Sequence, residues 1–361
     1  MRVQLIAKSG NSATGIGRYT DDLTLGLRSL GLDVTRTDPD PPPRWMVGAF
    51  QRVGYDLDAF LKSYPFSAPR SDADVVHIAG QTMATLLWMG RFNAPVVVTV
   101  HDIIPHIVRH DPELRMLRHQ ADAALYRLAL AGLRKADAII TVSAYVKQTL
   151  IDHLGLPEAR IFPIHNPINL VRFRPLDVQD AFRARYGLDA GRRCLMFIGS
   201  EDPRKNFIGL LRAFAQVRRR MPEVVLLKVG RAHVDEQREQ ARRLIAELGI
   251  GDAVRFLEDI PDADLPLLYS AVDTLVMPSF HEGFGYPPLE AMACGTPVIA
   301  SNTTSLGEIV GDAALTVDPA DTDAIAAALI RLLTDEGLRA ALRARGLQHV
   351  QRFDMDTFSG Q

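Results

Sequence analysis

Short β-branched apolar runs alternate with longer helical patterns along almost all of the 361 residues, and this alternation restricts the chain to parallel α/β layers. In the first half the runs are Val3–Ile6, Asp33–Thr35, Val75–Ile78, Val96–Val100, Ala138–Val142 and Ile161–Ile164. Helical periodicity fills the gaps, notably over Gly17–Leu27 and Pro112–Lys135. Ser143 is placed to cap a helix over Ala144–Leu154, and Gly155 to end it. The second half repeats the layout with strands at Cys194–Ile198, Val224–Val229, Val254–Phe256, Thr274–Met277, Val298–Ala300 and Ala314–Val317. There a helix over Phe207–Val217 gathers Phe207, Leu210, Leu211, Phe214 and Val217 on one face behind Asn206 as N-cap. Residues 165–175, HNPINLVRFRP, contain two prolines and no periodicity, which suits an interdomain linker. The expected architecture is two Rossmann-like domains, residues 1–168 and 169–350, facing each other across a cleft. Residues 351–361 then form a short return segment, either naturally short or truncated. Because open α/β sheets collect ligands at the carboxyl ends of their strands, one active site is expected in that cleft.

Composition narrows the function classes. The formal net charge is −2, which offers no electrostatic case for nucleic-acid binding. The two cysteines, Cys194 and Cys294, lack metal-site spacing and suit a reducing compartment. The opening MRVQLIAKSG is too short an apolar run for a signal peptide or a membrane span. The location expected is therefore cytoplasmic. The cations Arg115, Arg118, Arg127, Arg134 and Lys135, set among apolar residues of Pro112–Lys135, would also let that segment lie peripherally on the inner membrane face. The plainer reading is a packed helix with its cations in water.

Four segments carry chemistry. In SFHEGFGYPPLEAMACGTPVIAS, residues 279–301, Pro287 and Pro288 fit a first helical turn, Gly295 fits a left-handed C-terminal cap, and Pro297 stops the helix. Gly283 and Gly285 allow backbone amides near an anion at the positive helix end, while Glu282 and Glu290 can accept hydrogen bonds from hydroxyls. That pairing suits a phosphorylated or nucleotide-linked sugar. The loop from Ser9 to Tyr19 opens a helix after the first strand, but it is neither a Walker A loop nor G-x-G-x-x-G, which argues against ATPase and dehydrogenase chemistry. His101-Asp102 ends a strand, where the Asp serves as a turn cap and the His as a structural or cleft-facing group. Arg204-Lys205 stands beside a helix start, where two cations can neutralise a diphosphate. Phe256-Leu257-Glu258 ends another strand and could border a nucleobase, or Phe256 could simply be core.

Taken together these segments resemble retaining family-four glycosyltransferases of the GT-B fold, in particular their EGFG-x-P-x-LEAMA-x-G-x-PV signature with its E-x7-E spacing. The resemblance implies a hexosyltransferase, mannosyltransferase-like, of polysaccharide or glycolipid biosynthesis. It would move mannose or glucose from a GDP- or UDP-linked donor to a glycan or lipid-linked acceptor hydroxyl. By that likeness Gly15, Gly17, Arg204 and Lys205 approach the donor phosphates. Glu282, Gly283, Phe284 and Gly285 meet the sugar, Glu290 holds the ribose, and His101 with Glu282 flanks the reacting centre. Ser200 departs from the arginine that many members carry after the glycine. Ser301–Thr304 and Glu308 complete the resemblance in structural roles. No cofactor beyond the co-substrate is implied, and no metal, since no DXD-like motif stands in a convincing context. A non-catalytic nucleotide-sugar-binding protein and a GT-B sugar-nucleotide epimerase are the alternatives.

Overall fold

The computed structural model describes residues 1–7, 15–40, 63–70, 72–89, 92–117, 119–188, 191–232 and 234–360. Internal contacts divide the chain into two units: Met1–Pro167 together with Met355–Gln361, and Ile168–Asp354.

The first unit holds β1 (Arg2–Ile6), β2 (Asp33–Thr37), β3 (Val75–Ile78), β4 (Val96–Val100), β5 (Ala138–Thr141) and β6 (Ile161–Pro163). They form one parallel sheet in the order β2-β1-β3-β4-β5-β6. Residues such as Leu5, Ile78, Val98 and Val100 have no exposed surface, which is why the central strands read as largely apolar runs. The helix Gly15–Ser29 packs Tyr19 and Leu23 inward. Under it, the Thr99 hydroxyl is shared between the Tyr19 hydroxyl and His77 Nε2, each at 2.7 Å. This satisfies three buried polar groups that would otherwise each carry a desolvation cost.

One expected helix is shorter than its periodicity implies. In place of a helix over Pro112–Lys135, the helix runs only from Gln120 to Gly132, followed by a 3-10 turn at Leu133–Lys135. The Asp111 carboxylate accepts from the N–H groups of Glu113 at 2.9 Å and Leu114 at 3.1 Å. That local turn competes with helix formation. Arg118 and the loop Ser9–Thr14 lie outside the described residues. The short helix Met355–Ser359 belongs to this unit, where Phe358 meets the Tyr19 ring edge at 6.3 Å. Gly26 makes room for it, since a Cβ there would stand 2.8 Å from Ser359 Oγ.

The second unit holds β7 (Cys194–Ile198), β8 (Val225–Val229), β9 (Val254–Leu257), β10 (Thr274–Met277), β11 (Val298–Ser301) and β12 (Leu315–Val317). Its sheet is parallel in the order β12-β11-β10-β7-β8-β9. The strand order reverses between β7 and β10, and the carboxyl ends at such a switch point are where ligands of open α/β sheets collect. The helix Phe207–Arg220 buries the five apolar residues expected of it, and Phe207 meets Phe197 at 4.9 Å. Asn206 caps it by accepting from Gly209 N–H at 3.2 Å, a contact worth about 1 kcal/mol. Asp321 and Asp335 cap the two helices that follow, Thr322–Thr334 and Glu336–His349. Among the described residues no helix is long and apolar enough to cross a membrane.

Candidate active site

The loops leaving β7 and β10 emerge at the switch point of the second sheet, and the sequence ties them together. Gly199 has φ 147°, and a Cβ there would stand 2.9 Å from Lys205 Cδ, so glycine lets the lysine chain fold back over the loop. Asp202 accepts from Arg204 N–H at 3.0 Å and starts the tight turn Pro203–Lys205. The Arg204 carbonyl accepts from Phe280 N–H at 2.7 Å, while its guanidinium donates to the His281 carbonyl at 3.1 Å.

Glu282 is the meeting point. Its Oε2 accepts from the Arg204 guanidinium at 3.1 Å and its Oε1 from Lys205 Nζ, also at 3.1 Å. Ser279 Oγ donates to Oε1 at 3.3 Å. Burial alone pushes the Glu282 carboxyl up. The charges and hydrogen bonds of Lys205 and Arg204 outweigh it, and the pKa settles at about 2. The group is therefore an anion throughout the physiological range, held between two cations.

The turn Gly283–Gly285 leads into the helix Tyr286–Ala293. Gly285, at φ 105°, has a backbone conformation that strains any side-chain-bearing residue, and a Cβ there would lie 2.5 Å from Leu306 Cδ2. Ser305 Oγ braces this turn by donating to the carbonyls of Glu282 at 2.8 Å and Phe284 at 3.2 Å. Phe284 packs against Tyr286 at 5.3 Å and Phe353 at 6.2 Å, so its side chain is committed to packing and its backbone is what the turn presents. Glu290 lies one turn into the helix, buried, with Oε2 accepting from the Tyr269 hydroxyl at 2.8 Å. The helix ends before Gly295, whose φ is 76°.

Sequence reasoning missed a second ionic cluster beside this loop. Glu201 Oε1 sits 2.9 Å from Lys228 Nζ and also pairs with Arg238. Lys228, next to last in β8, has no exposed side chain; burial lowers its pKa against the support of Glu201. Its Nζ also donates to the Gly230 carbonyl at 2.6 Å. Arg238 continues to Glu258 and lies over the Phe256 ring at 4.5 Å. Phe256 itself meets Phe207 at 6.3 Å, a packing role. The usable signal was a lysine inside VLLKV, an interior strand of apolar residues, which demanded an acid nearby.

In the first unit, Gly15 and Gly17 form the first turn of the helix that begins there, with Gly17 buried. His101 follows β4. Its N–H donates to Gln81 Oε1 at 3.2 Å, and its ring Nε2 lies 2.9 Å from the Ala79 carbonyl. A carbonyl only accepts, so Nε2 carries the proton and Nδ1 keeps the lone pair. The ring stands edge-on to Tyr19 at 4.9 Å. Burial, only partly offset by the Ala79 contact, holds its pKa at about 4. Asp102 caps the next turn through Ile104 N–H at 3.0 Å. His77 is consumed by Thr99, and His106 packs edge-on to His153 at 6.2 Å. The structure thus brings Arg204, Lys205, Ser279, Glu282 and the Gly283–Gly285 turn together in the second unit, with Glu290 behind them. His101 and Gly17 belong to the first.

Two Rossmann-like units of this construction define the GT-B class. Sucrose-phosphate synthase from Thermosynechococcus elongatus superposes on the chain with a TM-score of 0.77 at 26% identity, covering 100% of this chain and 96% of that one. Residues 178–349 match the family described as Glycosyl transferases group 1, and residues 13–172 match Glycosyltransferase Family 4. The chain belongs to this glycosyltransferase family. O-antigen chain mannosyltransferase B of Escherichia coli is 37% identical over 235 residues, 64% of this chain and 60% of that relative, so the match spans less than two thirds of its length. D-inositol 3-phosphate glycosyltransferase of Salinispora arenicola is 30% identical over 310 residues, 80% of this chain and 67% of that protein.

Proposed function

We propose that the chain is a retaining hexosyltransferase that moves mannose or glucose from a GDP- or UDP-linked donor to a hydroxyl of a glycan or lipid-linked acceptor. The observation that carries this reading is the clasp of Arg204 and Lys205 on Glu282 at the switch point of the second sheet. It sets diphosphate-binding cations within hydrogen-bond reach of a hydroxyl-binding carboxylate. The relatives, one a mannosyltransferase and one a glycosyltransferase, support the same class.

In this reading the donor phosphates take hydrogen bonds from Arg204, Lys205 and the backbone at the start of the Tyr286–Ala293 helix. Glu282 accepts from sugar hydroxyls near the anomeric carbon, and Glu290 from the ribose. The acceptor oxygen forms its bond to the anomeric carbon on the face that the diphosphate leaves. The breaking bond's electron pair stays on the departing phosphate oxygen, which takes the acceptor's proton. The fixed cations then stabilise charge that grows in the transition state. His101, neutral and holding its Nδ1 lone pair, is proposed to accept from a hydroxyl of the reacting sugar. A lipid-linked acceptor would bring the enzyme to the cytoplasmic membrane face as a peripheral protein.

The test is release of nucleoside diphosphate from GDP- and UDP-linked hexoses, with and without acceptor glycans, read together with the anomeric configuration of the product. Retained configuration is expected. Tight donor binding without turnover under all conditions would replace this reading with a binding-only protein.

A further inference from the structure

Among the described residues, three other than glycine hold positive φ: Asn206 at 58°, Asp259 at 28° and Thr304 at 57°. Asn and Asp tolerate the left-handed region through their short polar side chains. Thr304 does not, because its β-branched side chain crowds the backbone there. Strain of this kind persists only where the surroundings hold it, and it gathers at working sites. Thr304 follows β11 and opens the helix Thr304–Val310.

The contacts show what the strained backbone accomplishes. Thr304 Oγ1 accepts from Glu282 N–H at 3.4 Å, a long bond. Ser305 Oγ donates to the Glu282 carbonyl at 2.8 Å. Leu306 Cδ2 lies 2.5 Å from where a Cβ on Gly285 would stand. Three consecutive side chains therefore reach one turn. In a regular helix successive side chains point about 100° apart and do not meet one surface together. The left-handed backbone at Thr304 lets them converge.

The Glu282 peptide is thus held at its N–H and at its carbonyl by groups other than the site's cations. Its carboxylate is held chiefly by Arg204 and Lys205, with Ser279 as the third partner. A diphosphate would claim those two cations. The backbone clamp and Ser279 then fix where the carboxylate stands.

We infer that Thr304 is a positioning residue: its left-handed backbone and its hydroxyl clamp the Glu282 peptide and so set Glu282 against the reacting sugar. The effect on transfer rests on the reading above in which Glu282 meets that sugar; the clamp itself does not.

Three substitutions separate the hydroxyl from the strain. Thr304→Ser keeps the hydroxyl, Thr304→Val keeps the β-branched shape without it, and Thr304→Gly removes both. In the Val and Gly variants kcat is expected to fall about three- to tenfold, the scale of one hydrogen bond, with Ser within about twofold of wild type. Donor KM and the Kd of bare nucleoside diphosphate should hold in all three, since Arg204 and Lys205 are untouched. The Gly variant should resist urea better than the Val variant, because it relieves the strain, and yet be no faster. A role in folding alone would make rate follow stability.

Amide exchange over residues 279–285 of the ligand-free chain, followed by mass spectrometry, reads the clamp without turnover. Exchange there should quicken in the Val and Gly variants and stay as in wild type with Ser. If the wild type turns over no sugar nucleotide while exchange still follows the hydroxyl, the transferase reading fails and the clamp on Glu282 stands. Unchanged exchange in the Val and Gly variants, wild-type kcat in both, or nucleotide affinity falling together with kcat overturns the proposal.

Discussion

Lys205 Nζ lies 3.1 Å from Glu282 Oε1, so the cation expected to face donor phosphates is already engaged by the carboxylate expected to face the sugar. Under the proposed function a diphosphate entering here would share Arg204 and Lys205 with Glu282. Glu282→Gln keeps the shape and removes the competing anion. Its transfer rate should fall by about 100- to 1,000-fold, the scale of losing one charge-stabilising group at a reacting centre. Its affinity for bare nucleoside diphosphate should hold or rise. Steady-state kinetics and calorimetry on the same preparation give both numbers; a joint loss of rate and nucleotide affinity would contradict the arrangement.

Lys205→Ala acts on the other partner. Under the proposed function it removes a charge-assisted bond to the diphosphate, worth about 1.5–3 kcal/mol. The nucleoside diphosphate Kd should therefore rise at least about tenfold. Arg204 still pairs with Glu282, so the loss of folding stability should be smaller than for the buried cluster considered next.

That cluster, Glu201–Lys228–Arg238, is a stability element. Lys228→Met leaves the Glu201 carboxylate buried with one counter-charge fewer, and breaking such a pair costs about 3–5 kcal/mol. Adding Glu201→Leu should recover much of the loss. Urea unfolding of the single and double variants measures the recovery, and equal destabilisation by both would argue against the pairing.

Acid should weaken the first unit before most carboxylates titrate. His77 and His101 both sit at about 4 in the folded state, chiefly through burial, against an ordinary value of 6.5. Between those values the unfolded chain binds more protons, so stability falls as pH falls, by at most about 1.4 kcal/mol per pH unit for each histidine. Above pH 6.5 the pair adds no slope. Glu282, held at about 2 by Lys205 and Arg204 in spite of its burial, gives a second loss as pH drops below about 4.5. Urea midpoints at pH 7, 6 and 5 test the histidine part. His101→Gln should flatten the decline.

Much of the fold could be read in advance because strands buried on both faces are largely apolar. Each of the expected runs became a strand within a residue or two, from Val75–Ile78 to Thr274–Met277. The capping residues Ser143 and Asn206 were legible for a local reason, since each side chain bonds an amide three residues ahead. The turn at Asp111 was hidden because apolar spacing alone cannot show a side chain intercepting the backbone. Glu201, Lys228 and Arg238 were hidden for the opposite reason. They come from separate segments and resemble surface charge until the sheet brings them together. At the site, the carboxylates Glu282 and Glu290 were evident as a pair, but their partners, two cations for one and a tyrosine for the other, needed coordinates.

The most direct measurement is thermal unfolding of wild type and Lys205→Ala with GDP-, UDP- and ADP-linked sugars. Binding to the native state alone stabilises by about 2.7 kcal/mol at a hundredfold excess over Kd. The account predicts a rise in Tm with GDP- or UDP-linked hexose for the wild type, cut to about half or less in the variant. No rise with any sugar nucleotide, or an equal rise in both proteins, would contradict it.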